Sequence, residues 1–349
     1  MLGIETCFRL PFLKGPILDK AEKKRAKKKG NGTDFNGESQ RWIDLALEAS
    51  ARLVGRADVI HVMDREGDSY ALLASLLGAG QRFVIRLNYD RVICSDELPN
   101  GKAHLFSVLN REVGVIERLV KVPKRQRRNA PPKSLKEHPN REERMARLLF
   151  SAATATITRP AARSSKLPKT LTLNFVRVWE PDPPEGEEPI EWRLVTTEPI
   201  STVQEIACAV DWYRARWVIE EFNKALKTGC AYQKRQLESR AALLNALAIL
   251  APVAWRLLCL RALSRDTSDA PATEALSEVQ VKILQTAVSR LKLDVKLPKQ
   301  PTVRQAMLAV AALGGHIKYN GQPGWIVLGR GLDRLLIAEL GWWAHVEHG

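Results

Sequence analysis

Tyr213, Arg216, Glu220 and Lys227 follow one another at steps of 3, 4 and 7 residues. Wound on an α-helix, they fall within an arc of roughly 60°, so one face presents a phenol, a guanidinium, a carboxylate and an ammonium. A carboxylate flanked by such donors can hold a divalent metal ion against a phosphodiester. The plainer alternative is a solvated face laced with i,i+4 ion pairs. A second acid stands upstream. The apolar run Val59-Ile-His-Val-Met63 reads as a strand handing over to Asp64, which places that carboxylate at a strand's C-terminal edge.

The elements that must position these groups can be read from pattern. Leu2–Phe12 alternates as a strand would, and a basic run from Lys20 to Gly30 follows as an exposed loop or a DNA contact. Ser39–Leu53 has helical apolar spacing, Asp68–Leu77 a second helix, and Arg82–Leu87 a strand with Arg86 near its end. From about 88 to 190 the character turns to β-like segments, Val113–Val122, Ala152–Thr158 and Thr170–Val178. Charged and Pro-rich connections separate them, including the densest basic cluster, Pro123–Arg128. Thr202–Thr228 is read as the helix of the four spaced residues, broken near Trp212. Arg240–Ser264 is an apolar helix or helix pair kinked at Pro252, Ser264–Glu274 a linker, and Val279–Leu293, Val303–Leu313 and Gly331–Trp343 the closing helices. The fold class expected is α/β.

Lys plus Arg outnumber Asp plus Glu by 54 to 39, a net charge of +15 that suits a polyanionic partner, since phosphate contacts release counterions. The five cysteines (Cys7, Cys94, Cys208, Cys230, Cys259) form no C-x-x-C pair and read as buried thiols in a reducing cytoplasm. Met1–Leu18 lacks the marks of a secretory signal. The most apolar run, Ala241–Leu260, is interrupted by Asn245, Pro252 and Arg256, so a buried core helix is expected rather than a membrane span.

The order Y-x2-R-x3-E-x6-K resembles the signature of bacterial DDE transposases of the insertion-sequence-four family, the transposon-five-like cut-and-paste enzymes. The surrounding WYRARWVIEEFNKALKTGC is similar to that family beyond the four residues, and so is His61-Val-Met-Asp-Arg-Glu-Gly-Asp68. Arg82-Phe-Val-Ile-Arg86 resembles the next core strand, and Trp192–Pro199 the strand entering the signature helix.

The resemblance implies a ribonuclease-H-like core of mixed sheet and helices over 1–87, a β-rich insertion over 88–190, the remainder of the core over 191–265, and a helical, dimerising C-terminal domain over 276–349. It implies that Asp64 and Glu220 are catalytic and bind Mg²⁺ or Mn²⁺ in a two-metal site. Tyr213, Arg216 and Lys227 would grip phosphates of double-stranded DNA at transposon ends, with Arg86 either a further phosphate ligand or half of a surface ion pair. Trp192 would stack on a displaced base or belong to the core. The apolar stripe Leu332, Leu335, Leu336, Leu340 and Trp343 would meet a second subunit or pack on the chain's own core. Location in the bacterial cytoplasm, on the nucleoid, follows.

One part of the family pattern is missing. No Asp-Thr-Thr occurs among residues 1–63, and none of Asp19, Asp34, Asp44 and Asp58 ends an apolar strand. The chain therefore reads as N-terminally truncated, without the first catalytic aspartate and the first strands. Whether it is an enzyme is open. Three readings stand together: a transposase impaired in cleavage, a DNA-binding regulator that pairs with a full-length transposase, and a nuclease using a substitute carboxylate.

Overall fold

A computed structural model describes residues 37–94, 101–125, 140–161 and 166–348; the side chains of 37–39, 240, 347 and 348 are outside it. The expected strand Leu2–Phe12, the basic run Lys20–Gly30 and residues 126–128 of the second basic cluster lie outside the described residues. The chain forms two compact units, Met1–Arg216 and Trp217–Gly349.

In the first unit, helix α1 (Gly37–Leu53) precedes strand β1 (Ile60–Met63). A single 3₁₀ turn, Arg65–Gly67, leads into α2 (Tyr70–Gly78) and β2 (Arg82–Arg86). Then come β3 (Val92–Cys94), β4 (Lys102–His104), the short α3 (Leu105–Leu109), β5 (Ile116–Val122), β6 (Arg144–Thr158), β7 (Thr170–Trp179) and β8 (Glu191–Thr196). Helix α4 (Val203–Ala215) closes the unit. The strands make one eight-stranded sheet in the order β1-β2-β8-β7-β6-β3-β4, with β5 also on β6. Among the described residues only β1 and β2 pair in parallel, Met63 opposite Ile85, so the sheet is mixed. The strands of 88–190 continue this sheet through β7 and β8.

Alternation along each strand sends neighbours to opposite faces and creates two cores. Phe83, Ile85, Phe175 and Val195 join Ile43, Tyr70, Leu73, Leu76, Leu105 and Leu109 on the side of α1, α2 and α3. Val84, Val176, Val178 and Leu194 face the other way, onto Ile206, Ala209, Val210 and Tyr213 of α4. Those four residues, at i, i+3, i+4 and i+7, are one helix stripe. A capping box fixes its start. Thr202 Oγ1 accepts from the Glu205 N–H (3.2 Å), and the Glu205 carboxylate accepts from the Thr202 N–H (2.9 Å).

The second unit is helical among its described residues: α5 (Trp217–Lys224) running into a π-turn (Ala225–Gly229), α6 (Arg240–Asp266), α7 (Glu278–Arg290), α8 (Val303–Leu313) and α9 (Trp325–His348). Helix α6 runs through Pro252 as one element. By length and composition its stretch Ala241–Asp266 could cross a membrane, a test that a core helix also passes. Its burial corrects the expectation of a core helix throughout. Ala254, Leu257, Leu258 and Leu260 are buried, whereas Ile249 is 69% exposed and no residue of 241–253 is buried. Gly314 ends α8 as expected. Helix α9 begins six residues earlier than the pattern suggested, because close glycine contacts let its first turns pack tightly: a Cβ on Gly331 would lie 1.8 Å from the Val310 carbonyl oxygen. Leu332 and Leu335 are buried, Leu336 half-buried, and Leu340 and Trp343 exposed, so the apolar stripe divides along its length. The described cysteines are all free, and Cys208 is exposed rather than buried. Burial pushes the Cys230 thiol up to about 11, which makes it inert.

Candidate active site

Asp64 stands where the sequence placed it, directly after β1, and is half-buried. It caps the following 3₁₀ turn, its Oδ1 accepting from the Glu66 N–H at 3.0 Å. The turn is tight: Gly67 is buried, and a Cβ there would lie 2.7 Å from Met63 Cβ. Asp68, four residues on, is used differently. It is 3% exposed; Oδ2 accepts from the Asn88 N–H (2.6 Å) and the Tyr89 N–H (2.9 Å), and Oδ1 pairs with Arg91. Three of the acceptor sites of that carboxylate are thus committed to holding the loop after β2. Glu66 is exposed.

Arg86 ends β2 on the face that meets α4. Its Nη2 donates to the Glu191 carbonyl at 3.0 Å, and its guanidinium hydrogen-bonds the Tyr213 side chain. Burial first, then the nearby guanidinium groups of Arg65 and Arg216, lower its pKa, with Tyr213 acting in the opposite direction. Arginine stays cationic regardless. The guanidinium groups of Arg65 and Arg216 therefore lie near that of Arg86, an arrangement whose mutual repulsion an anion would relieve.

Tyr213 is 6% exposed and its ring belongs to the core under α4. Trp192, half-buried on β8, meets it edge to face with centroids 5.3 Å apart. The structure thus brings Arg86, Trp192, Tyr213 and Arg216 together. It adds Arg65, which the sequence reading passed over although it lies inside the Asp-Arg-Glu-Gly-Asp run.

The signature run is not one regular α-helix. At Arg216 the N–H bonds the Tyr213 carbonyl, three residues back, and α4 ends there. Past Lys224 the ladder widens instead, the Cys230 N–H reaching the Ala225 carbonyl five residues back at 2.8 Å. A constant 100° per residue therefore overstates the regularity of the face. Glu220 lies in the first turn of α5 and Lys227 in the π-turn, both half-buried and both in the second unit. Such single π-turns recur at functional sites. This one is held by α9. A Cβ on Gly329 would come 2.0 Å from the Gly229 carbonyl oxygen, so only glycine lets the two backbones touch.

A hard divalent cation needs oxygen ligands, and Asp64 and Glu220 are of the right kind. Among the described residues no three His, Cys, Asp or Glu side chains converge as a metal cluster. A family model described as a transposase DDE domain matches residues 30–255, nearly two thirds of the chain. The chain belongs to the transposase DDE domain family. The match takes in every predicted site residue, from Asp64 and Arg86 through Trp192, Tyr213, Arg216 and Glu220 to Lys227, and the mixed sheet with flanking helices accords with it. Membership makes this a transposase by domain, and makes DNA the expected partner.

Proposed function

We propose that the chain acts on transposon-end DNA as an insertion-sequence-four, transposon-five-like transposase, the chemistry being cut-and-paste phosphoryl transfer. The observation that carries the DNA reading is the nearness of Arg65 and Arg216 to Arg86, itself bonded to Tyr213, at the C-terminal end of β2. Arginine forks match phosphate oxygens, and Arg86, pinned by Glu191 and Tyr213, is already ordered to meet one. Lys227 would add a point charge, and Trp192 a ring for a displaced base. Asp64 and Glu220 would hold Mg²⁺ or Mn²⁺, with phosphate oxygens and water completing the shell. When bound, the metal supplies charge for the attacking and leaving oxygens.

The acid that would complete a three-carboxylate set is assigned to no residue of 1–63, and Asp68 is spent on the fold. Strand cleavage is accordingly proposed to be weak. A second reading fits the same observations: a DNA-binding regulator that joins a full-length transposase in an inactive complex. For either role, residues 88–190 serve as a β-rich insertion. The exposed end of the stripe, Leu340 and Trp343, serves pairing of two copies on two DNA ends.

The test is an assay of binding and cleavage on the element's inverted repeats with Mn²⁺. Binding should fall steeply with salt, with a log–log slope of several units, and cleavage should be slight. Binding indifferent to salt would overturn the DNA reading. Strong cleavage lost in Glu220→Ala would show that another acid completes the site. Inhibition of a full-length transposase by the added chain would favour the regulator.

A further inference from the structure

The segments that follow β1 and β2 also border a cleft of about 460 Å³, lined by Ser69, Tyr70, Tyr89, Asp90, Arg91 and Thr158, among others. Tyr70 belongs to the core on the α2 side of the sheet, so the cleft opens on that side, whereas Arg86 faces α4. Tyr89 is 58% exposed, yet its backbone is fixed by the N–H bond to Asp68. The Arg91 guanidinium lies 5.9 Å from the centre of its ring and is itself held by Asp68. Arg91 is 7% exposed, and its Nε has no hydrogen-bond partner among the described residues. An exposed aromatic ring on a rigid backbone, backed by a buried cation, loses little entropy on receiving a flat partner.

Charge selects the kind of partner. Asp68 and Asp90 line the cleft, Arg91 is paired with Asp68, and the Arg159 guanidinium lies near enough to act on the Tyr70 hydroxyl. The balance is near neutral and offers a phosphate no net attraction. It suits a neutral, flat ligand with polar edges, to which the Ser69 hydroxyl can donate and from which the Thr158 oxygen, its proton given to the Val92 carbonyl at 3.1 Å, can accept, and the volume is in the range of a small-ligand site. We propose that this cleft takes an unpaired nucleobase, stacked on Tyr89, from a DNA strand whose phosphates are held at Arg86; this rests on the DNA reading above. The strand turns past the end of β2, where Asn88 and Tyr89 stand. Tyr89 then binds the base, and Asp68 and Arg91 position it.

The experiment uses the full chain and a single-stranded oligonucleotide of about 12 nucleotides, with 2-aminopurine placed at successive positions. One position should be quenched on binding. Tyr89→Ala should relieve that quenching and weaken binding about 5- to 100-fold, Tyr89→Phe should retain both, and the salt slope should be unchanged in either. An abasic nucleotide at the quenched position should weaken binding to the wild type and not further weaken Tyr89→Ala. Tyr89 is exposed, and unchanged thermal melting would show that the variants fold. Salt-dependent binding and quenching that both survive Tyr89→Ala would overturn the base site and leave the phosphate site standing. A wild-type chain with no salt-dependent binding would overturn the DNA reading and the base site with it.

Discussion

Arg82 and Arg86 stand at the two ends of β2, on one face, and each touches α4 through consecutive aromatic residues, Trp212 and Tyr213. Arg82 meets Glu198 in a two-pronged pair, Nε to Oε1 at 2.9 Å and Nη2 to Oε2 at 2.5 Å. Its hydrogen bond to Glu198 raises its pKa. Glu198 is 2% exposed and its neighbours Thr196 and Thr197 clasp the backbone of Phe83. Arg86 meets other guanidinium groups. One charge is neutralised to close the sheet, and the other is held among like charges. What separates a structural arginine from a candidate phosphate ligand is thus the company it keeps, since strand, face and helix are shared.

The largest expected effect falls on the structural end. Arg82→Leu leaves a buried carboxylate without its partner, and urea unfolding should show a loss of about 2–3 kcal/mol, reduced from the fully buried case because Arg82 is partly exposed. DNA affinity should hardly change. Arg86→Leu should invert the pattern, weakening DNA binding with unfolding little altered.

A smaller effect is expected at the link to α4. Tyr213→Phe keeps the buried ring and removes the hydroxyl that meets Arg86. Stability should change by about 1 kcal/mol or less, and duplex affinity should fall severalfold because the guanidinium is less well ordered. An unchanged affinity would restrict Tyr213 to the core.

The smallest effect separates the two cores by pH. His61, opposite Phe83 on β1, is buried and accepts or donates one bond with Ser50 at 2.8 Å. Burial lowers its pKa below the usual 6.5, against a hydrogen bond to the Gln81 side chain that raises it. A folded value below the unfolded one means that the stability is complete above 6.5 and is lost as pH falls from there through the folded value. Thermal melting followed downward from about pH 7 should fall, and His61→Gln should flatten that dependence.

Much of this contrast was readable in the sequence, though unevenly. The strand handing over to Asp64 and the strand carrying Arg86 followed from apolar pattern, and the helix carrying Tyr213 from the spacing of its polar residues. The helix was read from Thr202, which is the N-cap of α4. The partner of Arg82 did not follow, because Glu198 lies 116 residues away and no local pattern reports such a pair. The helix break, expected near Trp212, falls at Arg216, and the π-turn at Lys227 was hidden. No proline marks either, and the π-turn rests on contact between Gly229 and Gly329, far apart in sequence. Asp68 lies four residues beyond Asp64 in the same motif, and its burial and its three hydrogen-bonded partners, which no local pattern reports, set it apart.

The most direct measurement is the salt dependence of duplex affinity for the wild type, Arg82→Gln and Arg86→Gln under identical conditions. If Arg86 grips a phosphate, Arg86→Gln should weaken binding at every sequence tested and lower the log–log slope by about one, while Arg82→Gln keeps the wild-type slope. Equal slopes for all three proteins would contradict the assignment of the phosphate site to the C-terminal end of β2.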